Sequence, residues 1–301
     1  MNLKAWLSAF RLRTLPLALS SIGMGSFLAA SHQQFDLSIF ILCALTTILL
    51  QILSNLANDY GDSIHGADNI ERQGPQRAVQ SGQISRRQMG TAIIVCALLA
   101  FGTGIYLLYE ALKDASRNTI LLFLGLGILS IIAAITYTAG KKPYGYAGLG
   151  DVSVLLFFGW VGVIGTFYLH TQEYHWLTLL PATSCGLFAV AVLNINNIRD
   201  IESDKKAGKL SIPVRLGKSR AVLYHWILLA LGVACAVWYV VFTYNNIFQF
   251  LFLLSIPLLW KNASGVWRKH KASELDPYLK QMALTTLFFI LTFGIGQLVH
   301  L

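Results

Sequence analysis

Long apolar runs separated by short polar segments extend along the chain. Several of these runs approach the roughly 20 residues that a helix needs to cross a bilayer, and few charged residues interrupt them. The pattern predicts an all-α, polytopic membrane protein in which nine transmembrane helices surround a central cavity. The predicted spans cover about residues 14–30, 37–57, 89–109, 120–139, 152–169, 176–198, 221–244, 247–260 and 282–299. The eighth is short and contains Pro257.

Composition and charge agree with this prediction. Of the 301 residues, 55% are hydrophobic and 12% are charged, which is about half of the charge of a typical soluble domain. The net charge of +9 would suit nucleic-acid binding, but its distribution argues against that partner. With the N-terminus inside, all of the 23 lysines and arginines except Lys113 and Arg117 fall in cytoplasmic segments, which is the positive-inside pattern. We therefore expect a multi-pass protein of a bacterial inner membrane that contacts the lipid bilayer and no nucleic acid, with its N-terminus and its polar active-site loops cytoplasmic.

Two polar stretches carry the candidate chemistry, and each follows an apolar run. In SNLANDYGDSIHGAD, one arc of a helix holds Asn55, Asn58, Asp59 and Asp62. In NINNIRDIESD, a similar face holds Asn196, Asn197, Asp200 and Asp204. Carboxylates one turn apart repel each other unless a cation lies between them, and Mg²⁺ prefers such oxygen ligands and readily keeps phosphates in its shell. We predict that the two faces close over one polar cavity; for either stretch alone, a solvated loop after a membrane helix is the alternative.

Basic and aromatic residues follow in the predicted cytoplasmic loops. Arg72 and Arg77 flank a turn at Gly74 and Pro75, where they either grip phosphate oxygens or anchor the loop at the membrane surface. The glycine-rich loop 137–151 presents several exposed side chains: Lys141, Lys142, Tyr144 and Tyr146. This loop is predicted to act as a lid or to contact an aromatic substrate.

The two polar stretches end the second and the sixth predicted spans. This offset of four spans suggests a duplicated four-helix unit, with residues 1–140 and 141–260 as pseudo-repeats followed by a ninth helix. We expect both units to belong to a single transmembrane domain over residues 1–301. Internal repeats also occur in transporters, so the repeat alone does not indicate an enzyme.

The chain resembles the UbiA superfamily of intramembrane prenyltransferases over nearly its whole length. The resembling strings are NLANDYGD followed by GPQRAVQSG, then YTAGKKPYGYAGLGD and NNIRDIESDKKAGKLSIPVRLG. They are most similar to the branch that prenylates 1,4-dihydroxy-2-naphthoate in menaquinone synthesis. In the 4-hydroxybenzoate branch the first motif usually reads NDxxDxxxD, whereas here Gly66 occupies the place of the last acid and the next acid is Asp68.

The resemblance implies an Mg²⁺-dependent transfer of a polyprenyl group from polyprenyl diphosphate to 1,4-dihydroxy-2-naphthoate, with loss of CO₂, giving demethylmenaquinol. It implies that Asn58, Asp62, Asp200 and Asp204 are the catalytic residues and the ligands of two Mg²⁺ ions, with Asn197 assisting. Further implied substrate-binding residues are Asp68, Arg72, Arg77, Lys142 and Arg199 near the diphosphate. Tyr137, Tyr144 and Tyr146 are implied to shield an allylic cation.

Two alternatives follow from the same residues. One is a related aromatic prenyltransferase that acts on 4-hydroxybenzoate. The other is a cation or organic-anion transporter, since acids within transmembrane segments commonly mark ion pathways. A transporter would place charge near the bilayer midplane, whereas these acids lie at predicted span ends.

Overall fold

The computed structural model describes residues 3–65, 77–269 and 271–299, and the regular elements in these ranges are helices. Nine stretches within the described ranges are long and apolar enough to cross a membrane, which confirms the predicted all-α membrane fold. These spans are Leu3–Ser31, Leu37–His65, Arg86–Ala111, Arg117–Thr136, Gly150–Thr171, Trp176–Arg199, Lys218–Phe242, Ile247–Arg268 and Ala272–Leu298. Below they are called spans 1 to 9.

Span 1 consists of two helices that are separated by a break in the backbone at Arg11. Helix α1 covers Leu3–Phe10, and Arg11 then adopts a left-handed conformation with φ of 49° before a short 3₁₀ turn. Helix α2 follows over Leu15–Ser31 with Pro16 in its first turn, where a missing N–H is harmless. The break separates an amphipathic N-terminal helix from the membrane-crossing one.

Spans 2 to 4 are uninterrupted helices. Helix α3 covers Leu37–His65 and extends two turns beyond the predicted span, so the first polar motif is helical as far as His65. Helix α4 covers Arg86–Ala111, and its first turn is closed by a capping box between Ser85 and Gln88. Helix α5 covers Arg117–Thr136.

Span 5 contains a widened turn. It begins as α6 over Gly150–Val154, continues as a π-helix over Leu155–Ile164 and ends as α7 over Gly165–Thr171. The π segment packs closely on span 6, because a Cβ on Gly159 would lie 2.7 Å from the Ala182 carbonyl.

Span 6 ends inside the second polar motif. After a 3₁₀ turn at Trp176–Thr178, helix α8 covers Leu179–Arg199, Asp200 leaves helical geometry, and α9 restarts over Ile201–Lys206. The single helical face expected from Asn196 to Asp204 is therefore split in two, although Asp204 N–H still donates to the Asp200 carbonyl over 2.8 Å.

The remaining helices complete the bundle. Helix α10 covers Ile212–Leu216 and α11 covers Lys218–Phe242. Span 8 continues beyond its predicted end at residue 260: a 3₁₀ segment over Ile247–Ser255 leads into α12 over Ile256–Arg268, with Pro257 in the first turn of α12. A 3₁₀ turn over Ala272–Leu275 precedes α13 over Asp276–Leu298.

The two halves of the bundle are packed differently. The largest core joins spans 1 and 5 to 9. It contains a cluster of ring contacts 4.8 to 5.6 Å between centroids, formed by Phe188, Phe252, Phe289 and Phe293. By contrast, α5 has no buried residue. A cavity of about 750 Å³ lies on this looser side, bordered mainly by spans 1 to 5 and lined by apolar side chains over most of its length.

Candidate active site

The last turns of α3 place Asp62 at one end of the bundle. Its side chain is buried, with 5% of the residue exposed. One carboxylate oxygen accepts a hydrogen bond from Arg77 Nη2 over 3.2 Å, and the other accepts from the Tyr146 hydroxyl over 2.9 Å. Both partners are distant in sequence, so this acid is held by the tertiary structure.

Asn58, one turn earlier, lies where the polar site meets the cavity. Its Oδ1 accepts a hydrogen bond from the Thr138 hydroxyl over 3.0 Å, and its side chain lines the cavity. The contact is possible because Gly61 lets α3 approach this loop, where any Cβ would overlap the Thr138 carbonyl. The predicted oxygen donors Asn58 and Asp62 therefore occupy one surface.

Asp59 and Asn55 share the same helical arc but have structural roles. Asp59 accepts hydrogen bonds from the backbone N–H groups of Ala78 and Val79, over 3.1 and 3.3 Å. Asn55 donates to the Phe10 carbonyl over 3.0 Å and thereby holds the N-terminal helix against α3. These two side chains position the chain around the site, and Asn55 also lines the cavity.

Asp200 lies at the helix break and is held by its neighbour. Arg199 donates from Nε and Nη2 to the two carboxylate oxygens of Asp200, over 2.8 and 2.7 Å. The same guanidinium donates to Asn196 over 2.8 Å and to Asp276, at the start of span 9, over 2.5 Å. Arg199 is 3% exposed. These donors are directed at protein oxygens and hold Asp200 in place, and the predicted role of Arg199 in binding phosphate stays a prediction.

Asp204 faces the site from α9 and has a cation beside it. Lys209 donates to one carboxylate oxygen over 3.4 Å, and the Ser211 hydroxyl lies 3.5 Å from the other. Burial raises the pKa of Asp204 to about 6; Lys209 opposes this shift, while the nearby carboxylates of Asp200 and Asp62 add to it. The acids of the two motifs are therefore close enough to interact electrostatically.

Lys209 joins the two motifs, and sequence reasoning missed it. Burial of the ammonium group acts to lower the pKa of Lys209, but the carboxylates of Asp204 and Asp62 outweigh it and raise the pKa above the ordinary value. The ammonium nitrogen also lies 5.9 Å from the centre of the Tyr146 ring, whose hydroxyl bonds Asp62. The sequence offered one signal, since Lys209 lies within the polar second motif, two residues before Ser211. It was overlooked because it resembles the many other basic residues of the predicted cytoplasmic segments.

The loop 137–149 covers the site as a layer of aromatic rings. The rings of Tyr137 and Tyr144 contact edge to face at 5.3 Å, and both line the cavity. Burial raises the pKa of both hydroxyls, that of Tyr137 to about 12, so both remain protonated at neutral pH. Two contacts join this loop to the second motif: Leu210 N–H donates to the Tyr146 carbonyl over 2.9 Å, and Arg215 donates to the Ala147 carbonyl over 2.7 Å.

The other predicted site residues have different surroundings. Lys142 is exposed at the surface of the loop. Asn197 is buried, and its Oδ1 accepts no hydrogen bond from the residues that the structure describes. Asp68 and Arg72 lie outside the described residues.

Three acids of the site, Asp62, Asp200 and Asp204, are each held by a basic partner. Within residues 3–65, 77–269 and 271–299, no group of three or more His, Cys, Asp and Glu side chains is arranged as a metal site. Instead, a basic side chain pairs with each acid: Arg77 with Asp62, Arg199 with Asp200 and Lys209 with Asp204. A carboxylate has about four lone-pair sites, so these contacts leave acceptor capacity. The carboxylate and amide oxygens, including the unsatisfied Asn197 Oδ1, fit a hard cation such as Mg²⁺.

These features define a membrane protein with an apolar cavity next to a cluster of buried charged side chains. The chain belongs to the UbiA prenyltransferase family, whose model matches residues 18–293. This finding confirms the family resemblance of the sequence motifs.

Relatives match the chain over nearly its full length. It is 48% identical to 1,4-dihydroxy-2-naphthoate octaprenyltransferase of Haemophilus influenzae, over 99% of this chain and 97% of the relative. It is 45% identical to the protein of the same name from Escherichia coli, over 98% and 96% of the two chains.

Solved structures share the fold. A UbiA homologue from Aeropyrum pernix matches with a TM-score of 0.68 at 19% identity, over 95% of this chain and 97% of that one. A UbiA homologue from Archaeoglobus fulgidus bound to DMAPP and Mg²⁺ matches with a TM-score of 0.62 at 18% identity, over 99% and 100%.

Proposed function

We propose that this protein transfers a polyprenyl group from polyprenyl diphosphate to 1,4-dihydroxy-2-naphthoate, with loss of CO₂, giving demethylmenaquinol. The observation that carries the proposal is the meeting of the two polar motifs next to an apolar cavity, which Asn58 of the first motif lines. Asp62 and Asp204 approach each other there through Tyr146 and Lys209. The relatives named for this reaction, at 48% and 45% identity, support the naphthoate acceptor and an octaprenyl donor.

The cavity accounts for an amphipathic prenyl donor. Its volume of about 750 Å³ lies within the range of about 300–1,000 Å³ typical of ligand sites. The isoprenoid tail lies along the apolar walls of spans 1 to 5, and the diphosphate lies at the end marked by Asn58. Apolar walls of this kind do not suit the transport of a charged solute, which favours the enzyme over the transporter.

Asn58, Asp62, Asp200 and Asp204 would hold Mg²⁺, with Asn197 adding an amide oxygen. When bound, the metal neutralises charge on the diphosphate, and such cation clamps contribute several kcal/mol to catalysis, on the order of 3 kcal/mol per interaction lost. Asp59 is not assigned to this set because its oxygens accept from backbone N–H groups.

The residues of the chain bind the diphosphate and protect the reacting carbon. Arg77 and Lys209 lie beside the acids and supply donors for phosphate oxygens. The allylic C–O bond breaks with its electron pair leaving on the diphosphate, and the electron-rich ring forms the new C–C bond and loses its carboxylate as CO₂. The π faces of Tyr137 and Tyr144 stabilise the allylic cation, and the apolar cavity excludes the water that would capture it.

The acceptor experiment tests this function. Purified protein is incubated with octaprenyl diphosphate, Mg²⁺ and either 1,4-dihydroxy-2-naphthoate or 4-hydroxybenzoate, and released diphosphate and CO₂ are measured. We expect both products with the naphthoate and loss of turnover in EDTA. Turnover with 4-hydroxybenzoate and none with the naphthoate would show that the protein acts on 4-hydroxybenzoate instead. No turnover of any prenyl donor, together with solute uptake in protein-containing vesicles, would favour a transporter.

A further inference from the structure

A second concave surface lies away from the active site, between α12 and the start of span 9. This groove has a volume of about 540 Å³ and is lined by Trp260, Lys261, Ser264, Gly265, Arg268, Lys269 and Tyr278. Its floor is the Tyr278 ring, which lies directly on the α12 backbone because Gly265 has no side chain; a Cβ there would overlap the ring. The surface is therefore shaped by tertiary packing and is more than a row of exposed lysines.

The groove is basic. It contains Lys261, Arg268 and Lys269, and of these Lys269 pairs with Glu274 over 3.3 Å. No acid among the described residues forms an ion pair with Lys261 or Arg268, and both side chains are exposed. Asp276, the next acid along the chain, is bonded to Arg199. Two uncompensated positive charges thus flank the concave surface.

The groove lies at the depth of a lipid headgroup. It is formed at the polar end of span 8, Ile247–Arg268, and Trp260 and Trp267 on that end are 65% and 67% exposed. Exposed tryptophans of this kind mark the membrane–water interface. Leu254 and Leu258, two turns and one turn before Lys261 along the helix, are 62% and 38% exposed. An exposed apolar strip along span 8 therefore leads to the basic groups.

We propose that this groove binds the phosphate of an anionic phospholipid headgroup, with Lys261 and Arg268 as its cationic contacts and the acyl chains along the exposed face of span 8. The lipid is favoured over a soluble phosphate compound because the site opens at the interface beside Trp260 and continues into the exposed apolar strip. The site is independent of the prenyl-transfer proposal.

The test uses the full chain in nanodiscs of phosphatidylcholine with a minor fraction of phosphatidylglycerol. After mild release from the discs, native mass spectrometry gives the ratio of the two lipids retained on the protein. We expect phosphatidylglycerol to be enriched on the wild-type chain, and the variant Lys261→Gln/Arg268→Gln to lose this enrichment by about tenfold. The variant Lys261→Arg/Arg268→Lys preserves both charges and is expected to retain it.

The matched control is Arg87→Gln/Arg220→Gln, which removes two exposed arginines near the site end of α4 and α11. We expect this control to retain the wild-type enrichment. Equal loss in the control would show that the enrichment depends on net charge alone. Unchanged enrichment in the groove variant would show that the groove is not the binding site. Either result overturns the proposal. Displacement of the lipid by an equal concentration of inorganic diphosphate would assign the groove to soluble phosphates, which also overturns it.

Discussion

At the scale of single residues, acids that look alike in the sequence differ by their partners. Asp59 and Asp62 lie on one arc of α3, yet Asp59 accepts from backbone N–H groups whereas Asp62 accepts from Arg77 and Tyr146. Asp200 and Asp204 differ in the same way. Asp200 accepts two hydrogen bonds from the Arg199 guanidinium group, whereas Asp204 accepts one from the Lys209 ammonium group. The side chains that face these acids therefore decide which of them are available to a metal.

We expect Asp62→Asn to lower kcat by on the order of 100-fold or more, because the amide keeps the shape and the Tyr146 contact but removes the negative charge. The measurement is diphosphate release at saturating substrates, combined with the unfolding temperature of each protein. Asp114→Asn, at an exposed position beyond span 3, is the control and should leave both values unchanged. Near-normal turnover of Asp62→Asn would remove this residue from the catalytic set.

Lys209→Met should make the fold depend on divalent cations. The substitution preserves the length of the side chain but leaves buried carboxylates without their cation, and breaking a buried pair costs about 3–5 kcal/mol. We expect a lower unfolding temperature in EDTA and a partial recovery when Mg²⁺ is added, measured by thermal unfolding in detergent. Lys205→Met, on the exposed side of α9, is the control. A loss of the same size with and without Mg²⁺ would show that Lys209 does not balance the acids.

At the scale of elements, two loops and one helix end form the site. Gly61 brings α3 against Thr138, the loop 137–149 places Tyr146 over Asp62, and the segment after α9 returns Lys209 to the same surface. The loop 137–149 is hydrogen-bonded to the second motif through Leu210 and Arg215, and its role as a lid or as a contact to an aromatic substrate stays a prediction.

Gly61→Ala should destabilise this junction. The new methyl group would overlap the Thr138 backbone, which cannot rotate away, and overpacking of this kind costs about 1–3 kcal/mol. We expect a lower unfolding temperature and reduced turnover, since Asn58 bonds the same threonine. Gly102→Ala is the matched control, because the added methyl group would meet nothing within 4 Å. Equal behaviour of the two variants would contradict a close junction at Gly61.

At the scale of the whole molecule, the described spans divide into a tightly packed part and a looser part that encloses the cavity. The largest core lies among spans 1 and 5 to 9, whereas α5 forms a cavity wall without any buried residue. This difference lets a long apolar substrate lie inside the bundle while the site end is held by ion pairs. The suggested duplication into residues 1–140 and 141–260 stays a prediction.

The orientation in the membrane can be tested directly. In a background with the four native cysteines replaced, we expect Asp114→Cys to react with a membrane-impermeant thiol reagent added to intact cells. Lys141→Cys, in the loop over the site, should react only after the membrane is opened. The expectation follows from the excess of lysine and arginine at the site end. Labelling of Lys141→Cys in intact cells would reverse the proposed topology.

The sequence by itself determined the membrane class, the number of spans in the described chain and the two oxygen-rich motifs. Hydrophobic length is a local property of the chain, so the apolar runs located the spans. The helical period failed where the backbone departs from a regular helix, because Asp200 interrupts the single helical face expected for the second motif.

Only the tertiary structure decided which polar residues form the site. The pairing of Asp62 with Tyr146, the position of Lys209 between the two motifs and the structural role of Asp59 each depend on contacts between residues far apart in the chain or across a loop. The position of the cavity among spans 1 to 5 likewise follows from how the helices pack. Such contacts leave no periodic signal in the sequence, because their energy comes from groups that meet only after the helices have assembled.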